Sequence, residues 1–367
     1  MMEKVNIGVV GCGNISGIYF QNLTTVFLNT NVYACADLDE ARAKEAAEKY
    51  GIPHIMTLDE MLSCSEIQII LNLTTPQSHY PICKKALEAG KHVYTEKPLS
   101  LHFGEGKELV RLAKKKGLLI GCAPDTFLGA GIQTCRKLID SGFIGDLVGA
   151  AAFMLCPGHE SWHPDPEFYY KTGGGPMFDM GPYYLTALVN LMGGAEEVCG
   201  MGSITFPNRT ITSEKKFGTK MAVETDTHIS GMIRFENGAI GTITTSFDVT
   251  KTSLPRIELY GTRGTLLVPA PNTFGGPVLL ATKDGSGFRE VPLTHNYSEN
   301  SRGLGVSDMA KCILSGGENK ASGALALHVL EMMEFFKTSD TQKLYHKMES
   351  RYEKTPPMCA NVIQGEV

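Results

Sequence analysis

The chain has 367 residues, 43% of them hydrophobic and 20% charged, which suits two domains with real cores and argues against wholesale disorder. A formal net charge of −5 gives no basic footprint for nucleic acid, and no apolar run approaches the roughly 20 residues that a membrane helix needs. The ten cysteines form no CxxC pair and, with the histidines, show no zinc-ligand spacing; with no signal-peptide core at the start, the expectation is a cytoplasmic protein without a metal site.

Val5–Val10 is a short apolar run that ends in glycines, and a helical stretch follows from about Asn14 to Leu28. Val32–Ala36 reads as a second strand, closed by Asp37. Asp39–Tyr50, rich in Ala, Glu and Lys, reads as a helix stopped by Gly51-Ile52-Pro53. Ile67–Leu73, Lys91–Thr95 and Leu118–Cys122 read as strands, and Ser78–Ala89, Phe103–Lys116 and Ile132–Ser141 as helices. Buried strands alternating with helices of this length predict an α/β, doubly wound parallel sheet. After about Phe143 the pattern changes. Asp146–Leu155 looks extended, Gly173–Leu191 looks like a glycine-started helix, and β-like runs follow at Val198–Phe206, Thr227–Phe235, Ala239–Phe247, Pro255–Tyr260 and Thr265–Val268. Their spacing and turn residues predict an antiparallel sheet, followed by helices at Gly305–Ser315 and Gly323–Lys337. The expected organisation is a dinucleotide-binding Rossmann domain over 1–125 and an α+β substrate and oligomerisation domain over 126–340. Its last helix would pack back on the first domain, and 341–367 would be an ordered arm or a frayed end.

Gly11-Cys12-Gly13-Asn14-Ile15-Ser16 is G-x-G-x-x-S, one residue from the dinucleotide fingerprint. Gly11 would make the tight turn, Gly13 would let a pyrophosphate approach the backbone at the helix N-terminus, and Ser16 is small enough for close helix–strand packing. Asp37 ends the next strand, where an acid would bond the ribose hydroxyls of the cofactor and repel a 2′-phosphate. With no arginine directly after it, NAD is favoured over NADP. Asp39 suits the role of helix cap better than Asp37 does. Thr95-Glu96-Lys97-Pro98 closes another strand, so Lys97 is placed at the carboxyl end of the sheet, where ligands bind.

The ordered set Gly11–Ser16, Asp37, Thr74-Thr75-Pro76 with His79, Glu96-Lys97-Pro98 and Gly173-Gly174-Gly175…Asp179 resembles the Gfo/Idh/MocA oxidoreductase family over about residues 3 to 338. The resemblance implies that Lys97 is the catalytic lysine beside the reacting carbon, and that Gly11, Gly13, Asn14, Ile15, Asp37, Thr74, Thr75, Pro76, His79 and Glu96 lie along the NAD site. It also implies a second domain whose sheet face often supports homo-oligomers.

Two departures bear on the chemistry. The family's G-G-G-x-L-x-D-x-G-x-H segment here puts Asp179 and Tyr183 four residues apart, so Tyr183 stands where a histidine usually faces the substrate. Tyrosine, which ordinarily titrates near pH ~10, is a poorer base unless a cation lowers its pKa. Lys97 would be that cation or would take the proton itself. His163 or His159, from the loop Gly158–Pro164, would otherwise stand in. Pro182 suggests that the helix starts close by. The second departure is Asp125, where the family often carries a basic segment. Asp125 and Asp179 together would favour a neutral polyhydroxylated substrate, unless Asp125 merely caps a helix, and Trp162 would either stack on a sugar ring or lie in the core.

The expected function is NAD-dependent oxidation of a secondary alcohol on a sugar, cyclitol or glycoside, or the reverse reduction. The alternatives are redox-neutral sugar chemistry through a transient ketone with tightly held NAD, and a non-catalytic NAD-binding sensor. Retention of Lys97 and Asp179 argues against the sensor.

Overall fold

The apolar runs of the first third pair into one parallel sheet in the computed structural model, which describes residues 3–283, 285, 287–360 and 362–367. Its strands are β1 (Val5–Val10), β2 (Thr30–Ala36), β3 (His54–Ile55), β4 (Ile69–Asn72), β5 (His92–Thr95) and β6 (Ile120–Cys122), in the order β3-β2-β1-β4-β5-β6. Helices α1 (Ser16–Thr25), α2 (Glu40–Tyr50), α3 (Leu58–Ser63), α4 (Pro76–Glu88) and α5 (Phe103–Lys116) connect them. Helices on both faces explain why β4 is buried at every position and shows no alternation. The strand order reverses direction at β1 and β4, and that switch point opens the crevice where a dinucleotide binds.

The second sheet is larger and mixed. After α6 (Ala130–Asp140) come β7 (Leu147–Leu155), α7 (Gly175–Met192), β8 (Ala195–Ser203), the small hairpin β9 (Asn208–Thr210) and β10 (Lys220–Ala222), β11 (His228–Phe235) and β12 (Ile240–Ser246). Then follow β13 (Ile257–Gly261), β14 (Gly264–Val268), β15 (Val278–Thr282), β16 (Arg289–Val291), α8 (Leu304–Ser315), α9 (Gly323–Gln342) and β17 (His346–Lys347). The sheet order is β16-β15-β14-β13-β7-β12-β11-β8-β17. Most neighbours are antiparallel, as expected, but β7 and β12 pair in parallel from Gly149↔Ile240 to Leu155↔Ser246. A parallel neighbour needs a crossover, and the chain makes one through α7, β8 and β11 before it returns beside β7. On β11 buried and exposed residues alternate, because one sheet face carries α7 and α9 and the other faces outward.

One sequence expectation changes, and one open alternative is narrowed. α7 does not start near Pro182; it starts at Gly175 with Pro176 in its first turn, and Pro182 sits in its interior. Pro182 has no N–H to offer the carbonyl four residues back. In that same turn the carbonyl of Asp179 accepts a bond from Lys97 Nζ at 2.6 Å. The end of the chain is an arm and not a frayed end. Its β17 pairs with β8, Tyr352 and Met358 are buried, and Leu28 N donates to Gly365 O at 3.0 Å beside the first sheet. The buried Glu331 anchors this arm, accepting from the backbone N–H groups of Glu349 and Ser350 and meeting His346 Nε2 at 2.7 Å. α9 also reaches the first sheet, since Cys122 N donates to Ala321 O just ahead of it and Phe103 N donates to Glu334 Oε2. Among the described residues no helix is long and apolar enough to cross a membrane, and no group of three or more His, Cys, Asp or Glu side chains is placed to hold a metal ion.

Candidate active site

The loop after β1 has the shape a dinucleotide needs. Gly11 has φ +100°, and a Cβ there would lie 2.8 Å from the carbonyl of Leu73, so only glycine fits. A Cβ on Gly13 would meet nothing within 4 Å, which leaves its backbone open to a ligand. Asn14 and Ile15 complete the turn into α1. No side chain caps that helix and no acid lies in its first turn, so its N–H groups face an anion site uncontested. Ser16 is buried, and its Oγ donates to Gly13 O at 2.7 Å.

Asp37 braces the same loop. Its Oδ2 accepts from Cys12 N at 2.7 Å and its Oδ1 from Asp39 N at 2.9 Å. A carboxylate has further lone pairs for ribose hydroxyls. Asp39, not Asp37, caps α2 through Ala41 N, and Arg42 pairs with Asp39 at 3.4 Å. On the β4 side, Thr74 bonds Asn72 Oδ1 through its N–H and its hydroxyl, Thr75 is the N-cap residue of α4, and Pro76 opens that helix. His79 is fully buried, with Nδ1 2.6 Å from Pro98 O and Nε2 3.0 Å from Thr74 O. It ties the cofactor-side loop to the segment that carries Lys97. Glu96 is buried as a strut: Oε1 accepts from Tyr19 OH on α1 at 2.7 Å, and Oε2 from Lys97 N at 3.0 Å. These residues fit NAD: an open glycine, an uncapped helix start and an acid at the end of β2.

Lys97 and Asp179 meet as the sequence predicts. Lys97 Nζ lies 3.0 Å from Asp179 Oδ1 and 2.6 Å from Asp179 O, and 5.5 Å from the centre of the Tyr183 ring. Two of the three ammonium donors are therefore spent on Asp179, and one remains for a substrate oxygen. Burial disfavours the charge on Lys97, but the charge and hydrogen bond of Asp179 together with Tyr183 and Glu96 outweigh it and hold the ammonium pKa above its usual value. Burial likewise opposes the charge on Asp179, yet Lys97 and His159 bring its pKa down to about 2. The pair is an ion pair throughout the neutral range, and Lys97 is not free to act as a base there.

The fourth member is His159. Its Nε2 lies 3.5 Å from Asp179 Oδ2 and is buried without a hydrogen-bond partner. The rings of Tyr169 and Phe247 hold it at centroid distances of 4.2 and 4.6 Å. The loop that carries it is pinned by a buried cluster in which Arg209, on β9, bonds Glu160, Asp248 and Pro157 O, while Tyr170 OH bonds Glu160. Tyr183 is buried as well. Burial raises its hydroxyl pKa in spite of the nearby Lys97 and Arg302, which leaves it a donor and not a base.

Two further expectations are corrected, and one open alternative is narrowed. His163 does not reach the Lys97–Asp179 pair: its Nδ1 accepts from Asp165 N at 3.0 Å, and its ring packs on Trp162, Phe168 and Tyr169. Asp125 does not line the cleft. It is 1% exposed and accepts from the N–H groups of Gly303 and Gly305 at the start of α8. Burial lifts its pKa to about 6 against those bonds. Its helix-capping role was legible, but the helix it caps lies 178 positions along the chain at Gly303. Trp162, 61% exposed, stands at the rim of the cleft and not in the core. The cleft itself is about 650 Å³ and is lined by Lys97, His159, Trp162, Tyr169, Asp179 and Tyr183, together with Arg256, Asn272 and Arg302. No sequence motif singles out those last three; tertiary packing alone delivers them.

A doubly wound sheet with a dinucleotide loop at its switch point, and a lysine–aspartate pair at the end of a neighbouring strand, define an NAD-binding oxidoreductase. The chain belongs to the Gfo/Idh/MocA family. Residues 5–123 match "Oxidoreductase family, NAD-binding Rossmann fold", and residues 132–267 match the "GFO/IDH/MocA C-terminal domain". It is similar to myo-inositol 2-dehydrogenase of Thermotoga maritima, 25% identical over 77% of this chain and 79% of that one. It is also similar to D-xylose dehydrogenase of Paenarthrobacter nicotinovorans, 28% identical over 49% of this chain, although the match spans only 48% of that relative's length. Among solved structures, levoglucosan dehydrogenase in complex with NADH and levoglucosan shares the fold, with a TM-score of 0.79 at 20% identity over 95% of this chain and all (100%) of that one.

Proposed function

We propose that the protein oxidises a secondary alcohol of a sugar or cyclitol to a ketone, or runs the reverse reduction, with Lys97 and His159 handling the proton. The observation that carries this reading is the contiguous chain Lys97–Asp179–His159 on the wall of a cleft beside the cofactor crevice. The names of the relatives, a cyclitol and a pentose dehydrogenase, favour the substrate class. Gly11, Gly13, Asn14, Ile15, Asp37 and the Thr74–Pro76 segment would hold NAD, which when bound supplies the hydride acceptor. The remaining ammonium donor of Lys97 binds the reacting hydroxyl and stabilises the alkoxide charge that develops on it. His159, beside Asp179 in the cleft lining, takes the hydroxyl proton. The imidazolium then faces Asp179 Oδ2 and is stabilised by it. Asp179 thus keeps Lys97 charged and prepares His159 to accept. A screen of sugars, cyclitols and glycosides that follows both NADH absorbance and keto products by mass spectrometry tests the reading. Ketone without NADH release would move it to redox-neutral chemistry, and neither signal would overturn it.

The acid at the end of β2 sets the expected cofactor preference. NAD should bind more tightly than NADP, and Asp37→Ala should weaken NAD by on the order of tenfold or more, the worth of a hydrogen bond to a charged group, about 1.5–3 kcal/mol. Fluorescence titration checks this, and equal affinity of the wild type for both cofactors would refute it.

The outward sheet face supports a homo-oligomer. Met201, Met232, Ile240 and Tyr260 are exposed there at 71%, 46%, 45% and 37%. Sheets normally cover such a face. A dimer or tetramer is expected by light scattering at micromolar concentration, and a monomer would count against it.

A further inference from the structure

The cleft carries more positive charge than the chemistry needs. Its lining includes Lys97, Arg256 and Arg302 but, among the described residues, a single carboxylate, Asp179, which is already paired with Lys97. Neither arginine lies within 4.0 Å of a described carboxylate, and the carboxylate whose charge acts on Arg302 is Asp125, which is buried outside the cleft and spends its hydrogen bonds on Gly303 and Gly305. Arg302, partly buried, is oriented by neutral partners: Nη2 donates to Asn272 Oδ1 at 2.7 Å and Nη1 to Asn300 Oδ1 at 2.8 Å, and Tyr183 lies in the same cleft lining. Arg256 is exposed just ahead of β13 and lines the cleft with Tyr184. The buried arginines are paired, Arg209 with Glu160 and Asp248 and Arg136 with Asp140. Arg302 and Arg256 have no such ion pair, and both line the cleft.

We infer that the substrate carries an anionic oxygen group, a carboxylate or a phosphate, and that Arg302, with Arg256 at the cleft mouth, binds it. The inference rests on the oxidoreductase reading above and reverses the neutral-substrate expectation, which leaned on Asp125. A guanidinium presents five N–H donors in a planar fork that matches such groups. Closing the cleft over an unpaired cation would be unfavourable, whereas an anionic substrate neutralises it. The diphosphate of NAD is not the natural partner, because the glycine loop and the start of α1, where a diphosphate fits, are not part of this cleft's lining.

The test compares D-glucose with D-glucuronate and D-glucose 6-phosphate, D-galactose with D-galacturonate, and myo-inositol as a neutral cyclitol. Each is measured by calorimetry on NADH-loaded protein and by turnover with NAD. One charged class should bind at least about tenfold more tightly than its neutral counterpart, and the uronate and phosphate arms tell which anion it is. Truncating one partner of such a pair typically costs 2–5 kcal/mol, so Arg302→Met should weaken binding of the charged ligand about thirtyfold or more and collapse the charged-to-neutral ratio. Arg256→Met, at an exposed position, should lower the same ratio by less and guards against a folding defect at Arg302. Tighter binding of the neutral sugars, or a ratio unchanged in both variants, would overturn the inference. So would an Arg302→Met variant that loses NADH affinity alone. If charged sugars bind but no sugar yields NADH or ketone, the oxidoreductase reading fails and the anion site stands.

Discussion

Lys97→Ala is expected to lower kcat by on the order of 10²–10⁴, the usual loss when a positioned proton-transfer or charge-stabilising group is removed. NADH should still bind, because the glycine loop, Asp37 and the start of α1 are untouched. The loss should appear in kcat and kcat/KM together, since Lys97 acts on charge that develops only in the transition state. Lys97→Arg should recover little. A guanidinium cannot place one donor on Asp179 O, one on Oδ1 and a third on the substrate with the geometry an ammonium uses. Single-turnover kinetics with the cofactor titrated by fluorescence measure both quantities. Near-normal turnover in Lys97→Ala with NADH bound would overturn the mechanism and favour the sensor reading.

The second large effect is expected at His159 and separates it from Tyr183. His159→Asn should reduce alcohol oxidation by about 10²–10⁴ and remove the limb of the kcat/KM profile that rises through the neutral range. The sign follows from the neighbours. Asp179, with its pKa brought down to about 2, stays charged as pH falls through neutrality, and Lys97, with its pKa raised, stays charged as pH rises. Neither can produce a neutral-range limb, and Asp125, with its pKa lifted to about 6, is held away from the cleft at the start of α8, so loss of the limb in His159→Asn would assign it. Tyr183→Phe should leave the limb in place and cost far less, since burial keeps that hydroxyl protonated. A limb that survives in His159→Asn and vanishes in Tyr183→Phe would exchange their roles.

The cofactor half of the site was legible because its parts are local. A glycine with positive φ, an open glycine two positions on and an acid at the end of the next strand are set by short-range sterics and hydrogen bonds, and they recur at fixed spacing along the chain. The Lys97–Asp179 pair was legible only as two motif positions; their distance depends on how α7 lies across the end of the first sheet. The choice between His159 and His163 had no local signal. They share one loop, and what decides between them is the cluster of Arg209, Glu160 and Asp248, drawn from three distant segments, which turns His159 inward and leaves His163 to bond Asp165 N. Asp125 reads as a pocket acid from its place after β6, yet burial makes it seek donors, and the uncapped start of α8 supplies them. By itself the sequence determined the fold class, the nucleotide loop, the acid at Asp37 and the place of Lys97 at the carboxyl end of the sheet, because each follows from periodicity or from geometry within a few residues; the catalytic role proposed for Lys97 came from the family resemblance. Only the tertiary structure decided which histidine meets Asp179, that Asp125 caps a helix, and that two arginines outside any ion pair line the cleft, because those contacts join residues far apart in the chain and depend on which charges packing leaves unpaired.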